Sequence, residues 1–475
     1  MIGIYLIIAF IISGILFLNR NTKLNNILLI AYLLLQCVFT IYEFNHLNVF
    51  ELQYFKPDAL GILLLITLTI VGIPAIYHSH LYITDHKGTP RIRGIYFSAM
   101  VMLITAIGAA YLSNHIAVTW IFVEITTLSS SALIYHHRNE RSLEGTWKYV
   151  FICAISVTLI FIGILFLSMA MRQAGSTDLT FDNLLIKAHE LNVFWLRLAF
   201  LFIFTGFTAK LGLVPMYTAG IDAKDKAPAP AGALFATVLM NMGFVGIFRV
   251  YVVISHTSIF SWANNVIMIA AFLTVFVATV YMVKVKNIKR MLAYSGIEHM
   301  GLVMLGLAAG GIGYYAAILH IILHAFVKSS LFFQFTQVYR IFQSKSIYDV
   351  GNYFKYNLTG AIVMLLGFIC ATAMPPSGLF VSEFMIFSAL FKAHQIIVLI
   401  LVMVLLTMII WAFGKNIFKL LFTPVEDFDD TNVIKITPIH SLSQFGLIGL
   451  SIYLGLNPPE QFVNLIQEAI KNLPQ

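Results

Sequence analysis

Fourteen stretches of this chain are apolar for 17 residues or more, and they decide the solvent in which it folds. They run over 2–18, 25–41, 59–78, 94–112, 116–135, 147–170, 192–216, 231–254, 260–283, 291–309, 312–338, 356–391, 395–421 and 440–456. A helix needs about 20 mostly apolar residues to cross a bilayer. Only 11% of the residues are charged, against about 25% in a soluble chain. That is too little charge to cover the surface of a soluble chain this long, so lipid is the expected solvent. The fold class is all-α integral membrane, with about 14 transmembrane helices. Met1 to Leu18 lacks a basic leading region and a small-residue cleavage site, so it reads as the first span rather than a signal peptide.

Loop charges orient the spans. With the first residue outside, twenty of the 29 Lys and Arg fall in inside loops, Lys87 among them, and seven fall outside. Positive charge concentrates on the cytoplasmic side, so both termini are expected outside the cytoplasm, in a multi-pass protein of the inner (cytoplasmic) membrane. The remaining two, Lys210 and Lys328, lie inside spans. The net charge of +8 is therefore a topology signal. Its residues sit in short loops and form no continuous patch, which excludes nucleic acid as a partner. Cys37, Cys153 and Cys370 show no paired spacing, which argues against an iron–sulfur centre, a zinc site or a disulfide. No cofactor and no metal is expected.

Two spans look interrupted. The seventh holds Gly212, Leu213, Val214 and Pro215, followed by a polar stretch from Asp222 to Pro230; the twelfth holds Pro375, Pro376, Ser377 and Gly378 in mid-run. Proline removes a backbone donor. Broken backbone at membrane depth is tolerated where protein or a wet cavity satisfies it. The breaks are five spans apart, so the second copy would be upside down, as in inverted-repeat transporters. The expected organisation is one transmembrane domain, 1–475. It comprises three N-terminal helices (1–93), a first five-helix repeat (94–254), an inverted second repeat (260–421), and a last helix with a short amphipathic tail (440–475).

A charge in the hydrocarbon core costs at least ~2.5–3.5 kcal/mol, so each buried one needs a reason. Glu124 is nine residues past His115, near mid-depth, and Lys210 precedes the first break. Paired across neighbouring helices they would neutralise each other, as a static ion pair or as a proton switch. His320, His324 and Lys328 are spaced i, i+4, i+8, on one helical stripe. Histidine suits proton relay. A metal is disfavoured because Lys328 would repel it. Glu298 and His299 lie in the tenth span and Glu383 seven residues past the second break. Together Glu124, Lys210, His299, His320, His324, Lys328 and Glu383 form a candidate lateral proton path.

These residues and their neighbours resemble the antiporter-like membrane subunits shared by respiratory complex I, group 4 membrane-bound hydrogenases and multi-subunit Na+/H+ antiporters. Glu124 looks like the family's glutamate on the fifth helix. Lys210 before Gly-Leu-Val-Pro looks like its lysine on the broken seventh. His320, His324 and Lys328 look like its His-x3-His-x3-Lys helix, and Glu383 like its charged residue on the broken twelfth. Residues 293–301 are similar to its Ala-Tyr-Ser-x-x-x-His-Met-Gly run. Phe122 to Leu128 and Trp147 to Tyr149 bring the chain nearest to the hydrogenase-4 component F type. It departs from the pattern at Asn241, where many relatives have lysine, at Lys224, which stands for a histidine, and at Asn287, which stands for an aspartate.

The resemblance implies a proton-translocating subunit of a membrane-bound hydrogenase or complex I-like oxidoreductase, without redox chemistry of its own. Its partners would be other membrane subunits, a peripheral redox arm, lipid and H+, with Na+ as the alternative ion. Lys224 and Asp222 would mark cytoplasmic proton intake. Two rival readings remain at this stage: a subunit of a multi-subunit Na+/H+ antiporter, and a membrane scaffold subunit of an inorganic-carbon uptake complex.

Overall fold

The computed structural model describes residues 1–85, 89–425, 428 and 433–474; Lys87 and Gln475 lie outside them. Each of the fourteen predicted runs contains helix. Among the described residues, 12 helices are long and apolar enough to cross a membrane, and two shorter apolar helices, Ile2–Leu18 and Leu358–Ala371, accompany them. No strand forms among these residues beyond isolated bridges.

The chain divides into two compact units. Unit 1 is Met1–Ala231, Val238–Val266 and Asn464–Gln475, and unit 2 is Gly232–Thr237 and Ile267–Val463. In chain order the first eleven helices are α1 (Ile2–Leu18), α2 (Thr22–Asn45), α3 (Ala59–Asp85), α4 (Pro90–Leu112), α5 (Ile116–Ile134), α6 (Glu140–Gln173), α7 (Phe181–Ile186), α8 (Val193–Leu211), α9 (Thr218–Lys226), α10 (Ala229–Ala236) and α11 (Val238–Ser255). The later ones are α12 (Phe260–Lys284), α13 (Ile288–Ala309), α14 (Ile312–Phe342), α15 (Tyr353–Tyr356), α16 (Leu358–Ala371), α17 (Gly378–Lys392), α18 (Ile396–Phe422), α19 (Leu442–Leu456) and α20 (Glu460–Ile470). The stretch from Gln343 to Tyr356 ends in the single turn of α15. The tail forms α20.

Both interruptions have local causes. Helix α8 stops at Gly212, which adopts φ 87°, a left-handed conformation that glycine takes without steric cost. The polar stretch beyond it folds back into helix as α9. In unit 2, Pro375 and Pro376 separate α16 from α17. Ser377 then restarts the helix, its hydroxyl accepting from the Phe380 amide at 3.2 Å, as an N-cap does.

Close backbone contacts hold the ends at each break. In unit 1, a Cβ on Gly243 of α11 would meet Leu211 N at 2.5 Å and Lys210 C at 3.0 Å. In unit 2, a Cβ on Gly378 would meet Ser451 O at 2.2 Å, and one on Gly455 would meet Gly378 Cα at 2.2 Å. Glycine is what lets these helices touch. Helices α11, α13 and α14 are buried along nearly their whole length, so the polar residues they carry face protein rather than lipid.

Candidate proton-transfer site

In unit 1, Lys210 is 4% exposed and next to the last residue of α8. Its ammonium donates to Thr127 Oγ1 of α5 at 2.7 Å and to Tyr149 OH of α6 at 3.2 Å, with Cys153 Sγ at 3.7 Å. A helix C-terminus favours a cation, which suits the lysine's place there. Thr127 donates its own hydroxyl hydrogen bond to Val123 O at 3.2 Å, leaving its oxygen lone pairs to accept from the ammonium.

The expected Glu124–Lys210 contact is not made. Glu124 is one turn before Thr127 on α5, half-buried, and within electrostatic reach of Lys210. No carboxylate lies within 4.0 Å of the ammonium among the described residues. Glu124 Oε2 is buried with no hydrogen-bond partner among them. Thr127 and Tyr149 bind the ammonium instead. The sequence reading missed both; the available signal was a hydroxyl three residues past Glu124, on the same helical face.

The intake candidates divide. Lys224, on α9, is 1% exposed, with Nζ 3.1 Å from Met240 Sδ, while Asp222 is half-buried. Asn241, in the position noted for lysine in many relatives, is fully buried, and neither amide atom has a hydrogen-bond partner among the described residues.

Unit 2 gathers five of the predicted residues, with Glu298, around the second break. His299, His320, His324 and Lys328 are at most 1% exposed, Glu298 is 2% exposed and Glu383 8%. His299 Nδ1 and His320 Nε2 are 3.0 Å apart, and the His299 and His324 ring centroids 5.1 Å. His299 Nε2 lies 3.1 Å from Ala371 O, the last residue of α16. His320 Nδ1 lies 2.9 Å from Ser382 Oγ in α17. Lys328 donates to Ser295 Oγ of α13 and stands 5.5 Å from the Phe413 ring centroid. Again no carboxylate lies within 4.0 Å of the ammonium among the described residues.

Arg249 shows what a structural ion pair looks like in the same molecule. It binds both oxygens of Asp58, at 2.9 and 3.3 Å, and the carbonyls of Tyr111, in the last turn of α4, and of Ser113, just past it. This is a bidentate, fully occupied cation. Lys210 and Lys328 are the opposite: buried ammonium groups held by neutral acceptors. Among the described residues no group of three or more His, Cys, Asp or Glu has metal-holding geometry.

Residues 113–409 match the sequence profile of the family described as NADH:quinone oxidoreductase/Mrp antiporter, TM. The chain belongs to this family. The matched span contains Glu124, Lys210, Glu298, His299, His320, His324, Lys328 and Glu383. A hydrogenase-4 component F homolog of Methylacidiphilum infernorum is 27% identical over 377 residues, covering 78% of each chain. An NADH-quinone oxidoreductase subunit N of Desulfitobacterium hafniense is 25% identical over 382 residues, covering 75% of each. Among solved structures, a chain of the Mrp complex from a Dietzia species superposes with a TM-score of 0.87 at 16% identity, covering 99% of this chain and 97% of that one. A chain of an archaeal membrane-bound sulfane sulfur reductase gives 0.85 at 20%, covering 99% and 96%. At such identities the structures speak to the fold, which is that of antiporter-like membrane subunits.

Proposed function

We propose that this chain moves protons as the antiporter-like membrane subunit of a multi-subunit hydrogenase or complex I-like oxidoreductase, the redox reaction belonging to partner chains. The observation that carries this reading is the pair of buried lysines. Each ammonium is bound by hydroxyls, so losing its proton breaks no salt bridge and leaves no carboxylate stranded. Removing one partner of a buried ion pair is costly; these sites avoid that cost. A carboxylate within reach but out of contact, as Glu124 is to Lys210, can bias the lysine electrostatically as it moves.

In this reading Lys210 and Glu124 work as the switch of one half-channel. His299, His320, His324, Lys328 and Glu383 conduct in the other. Lys224 and Asp222 mark intake from the cytoplasm. The two halves correspond to inverted repeats over 94–254 and 260–421, in the cytoplasmic membrane with both termini outside. The family relatives named above are components of multi-subunit oxidoreductases and hydrogenases, which supports membrane partners and a peripheral redox arm here.

The test is proton uptake by vesicles holding the purified complex, with redox turnover followed in parallel and a sodium jump applied separately. Lys210→Ala is expected to abolish uptake with all subunits still co-purifying. Uptake at the wild-type rate would make Lys210 structural, and sodium-driven proton release without redox turnover would favour the cation antiporter. A reporter fused after Lys345 should read cytoplasmic and one after Gln475 external; both on one side would overturn the topology.

A further inference from the structure

Four hydrogen bonds in unit 2 share one chain of atoms. His299 Nε2 meets Ala371 O at 3.1 Å, and His299 Nδ1 meets His320 Nε2 at 3.0 Å. His320 Nδ1 meets Ser382 Oγ at 2.9 Å, and Ser382 Oγ meets Leu379 O at 3.0 Å. Both ends are backbone carbonyls, which only accept. Two neutral imidazoles bring one N–H each, and serine brings one O–H. That is three hydrogens for four bonds. With one excess proton every place is filled. His299 Nε2–H donates to Ala371 O, one N–H lies between the rings, His320 Nδ1–H donates to Ser382 Oγ, and Ser382 O–H donates to Leu379 O. All four contacts are satisfied at once when the imidazole pair holds one extra proton, shared across the bond between the rings.

The next question is where that proton is exchanged. Ala371 O and Leu379 O accept hydrogen bonds but do not take up a proton, and Ser382 closes the chain at its end. Beside the other end lies Glu298, its Oε2 3.7 Å from His299 Nε2. Glu298 is 2% exposed, and Lys328 and Glu383 are within its electrostatic reach. His324 packs on the His299 ring. We propose that Glu298 loads and unloads a one-proton store formed by His299 and His320.

The step balances without a co-reactant. Both rings start in the Nδ1–H form, with His299 Nε2 bare and 3.7 Å from Glu298 Oε2, and the carboxylic acid must close to hydrogen-bond distance for the transfer. The Glu298 O–H bond breaks and an Nε2–H bond forms, leaving a carboxylate beside an imidazolium. The reverse step discharges the store towards Glu298. The C-terminal end of α16, whose last residue is Ala371, favours the imidazolium there. Glu298 occupies a position that the Ala-Tyr-Ser-x-x-x-His-Met-Gly pattern leaves open, so the motif gave it no role. The inference rests on the proton-transfer reading for its use, but its test reads protonation directly.

The experiment is solid-state NMR of the purified complex in lipid bilayers, with 15N-histidine in this chain and the two rings assigned through His299→Asn and His320→Asn. The wild type should show a doubly protonated imidazole shared by the pair at neutral pH. Glu298→Gln should leave both rings singly protonated, and Glu298→Asp should reduce the doubly protonated population several-fold without removing it. Two neutral rings in the wild type would overturn the store. An unchanged doubly protonated signal in Glu298→Gln would overturn Glu298 as its source. If Glu298→Gln fails to assemble, an unchanged population in Glu298→Asp has the same force. Loss or survival of uptake in Lys210→Ala bears on the proposed function and leaves these outcomes untouched.

Discussion

The surroundings of Lys210 and of Lys328 solve one problem in two ways. Lys210 sits at the end of a nineteen-residue helix, where chain termination supports its charge, and its ligands are a threonine and a tyrosine hydroxyl. Lys328 sits deep within α14, a 31-residue helix, 0% exposed, with one serine hydroxyl and a phenyl ring. The first site has a half-buried carboxylate off to one side. The second has three imidazoles and two carboxylates gathered around the break. The difference teaches that burial of the lysine and avoidance of a direct ion pair are shared, while the groups that would pass protons are local choices. The first site brings one carboxylate near its lysine, and the second gathers three imidazoles and two carboxylates.

The strongest way to break this comparison is to remove each ammonium in turn. Lys210→Ala and Lys328→Ala are both expected to abolish proton uptake by vesicles holding the complex, with assembly retained on a native gel. If only one does so, the two sites are not parallel, and the surviving one is structural. Glu383→Gln keeps size and hydrogen bonding but cannot ionise, so uptake should stop. Parallel redox measurement separates tight coupling, where both stop, from slippage, where only uptake stops. Unchanged uptake would place the proton path away from the second break.

A smaller effect is expected from the glycines that hold the breaks. Gly243→Ala would push a methyl group to 2.5 Å from Leu211 N, and Gly378→Ala would push one to 2.2 Å from Ser451 O. Overpacking costs typically ~1–3 kcal/mol, so both variants should melt earlier in detergent. Gly243→Ala should also slow uptake, because the clash falls on the backbone that carries Lys210. Wild-type melting and uptake in Gly243→Ala would show that the end of α8 can shift freely, and the fixed lysine of the first site would be lost from the comparison.

The apolar helical runs and the chain interruptions at Gly212 and at Pro375-Pro376 were legible in the sequence because apolar length, glycine and proline act locally. Burial of Lys210, His299, His320, His324, Lys328 and Glu383 was legible for the same reason, from position within long apolar runs. What was not legible is who touches whom. A charge pattern suggests that Glu124 meets Lys210, yet Thr127 and Tyr149 bind the ammonium. That outcome depends on how α5, α6 and α8 pack, which spacing along one helix does not encode. Ser382 and the Ala371 carbonyl were equally hidden, since their importance comes from facing two rings on other helices. The aromatic and hydroxyl content of α5 and α6 was visible, but nothing in it distinguished a lysine ligand from packing.

The hydroxyl shell of Lys210 can be taken apart in two steps. Thr127→Val keeps shape and removes a 2.7 Å bond to a charged donor. Such a bond is worth ~1.5–3 kcal/mol, and 1.4 kcal/mol is about tenfold in rate. Uptake about ten-fold slower or more is the expected result, and an unchanged rate would leave Tyr149 as the sole working ligand. Cys153→Ala should do least. A thiol is a weak acceptor, and its sulfur lies 3.7 Å from the ammonium, so the rate should change by less than about two-fold. The measurement is the same vesicle assay, run with Thr127→Val alongside. A loss from Cys153→Ala as large as that from Thr127→Val would mean that the sulfur helps set the ammonium's position. The first site would then hold its lysine by a soft acceptor as well as by hydroxyls. Its contrast with the serine-bound Lys328 would become one of ligand chemistry as well as of titratable neighbours.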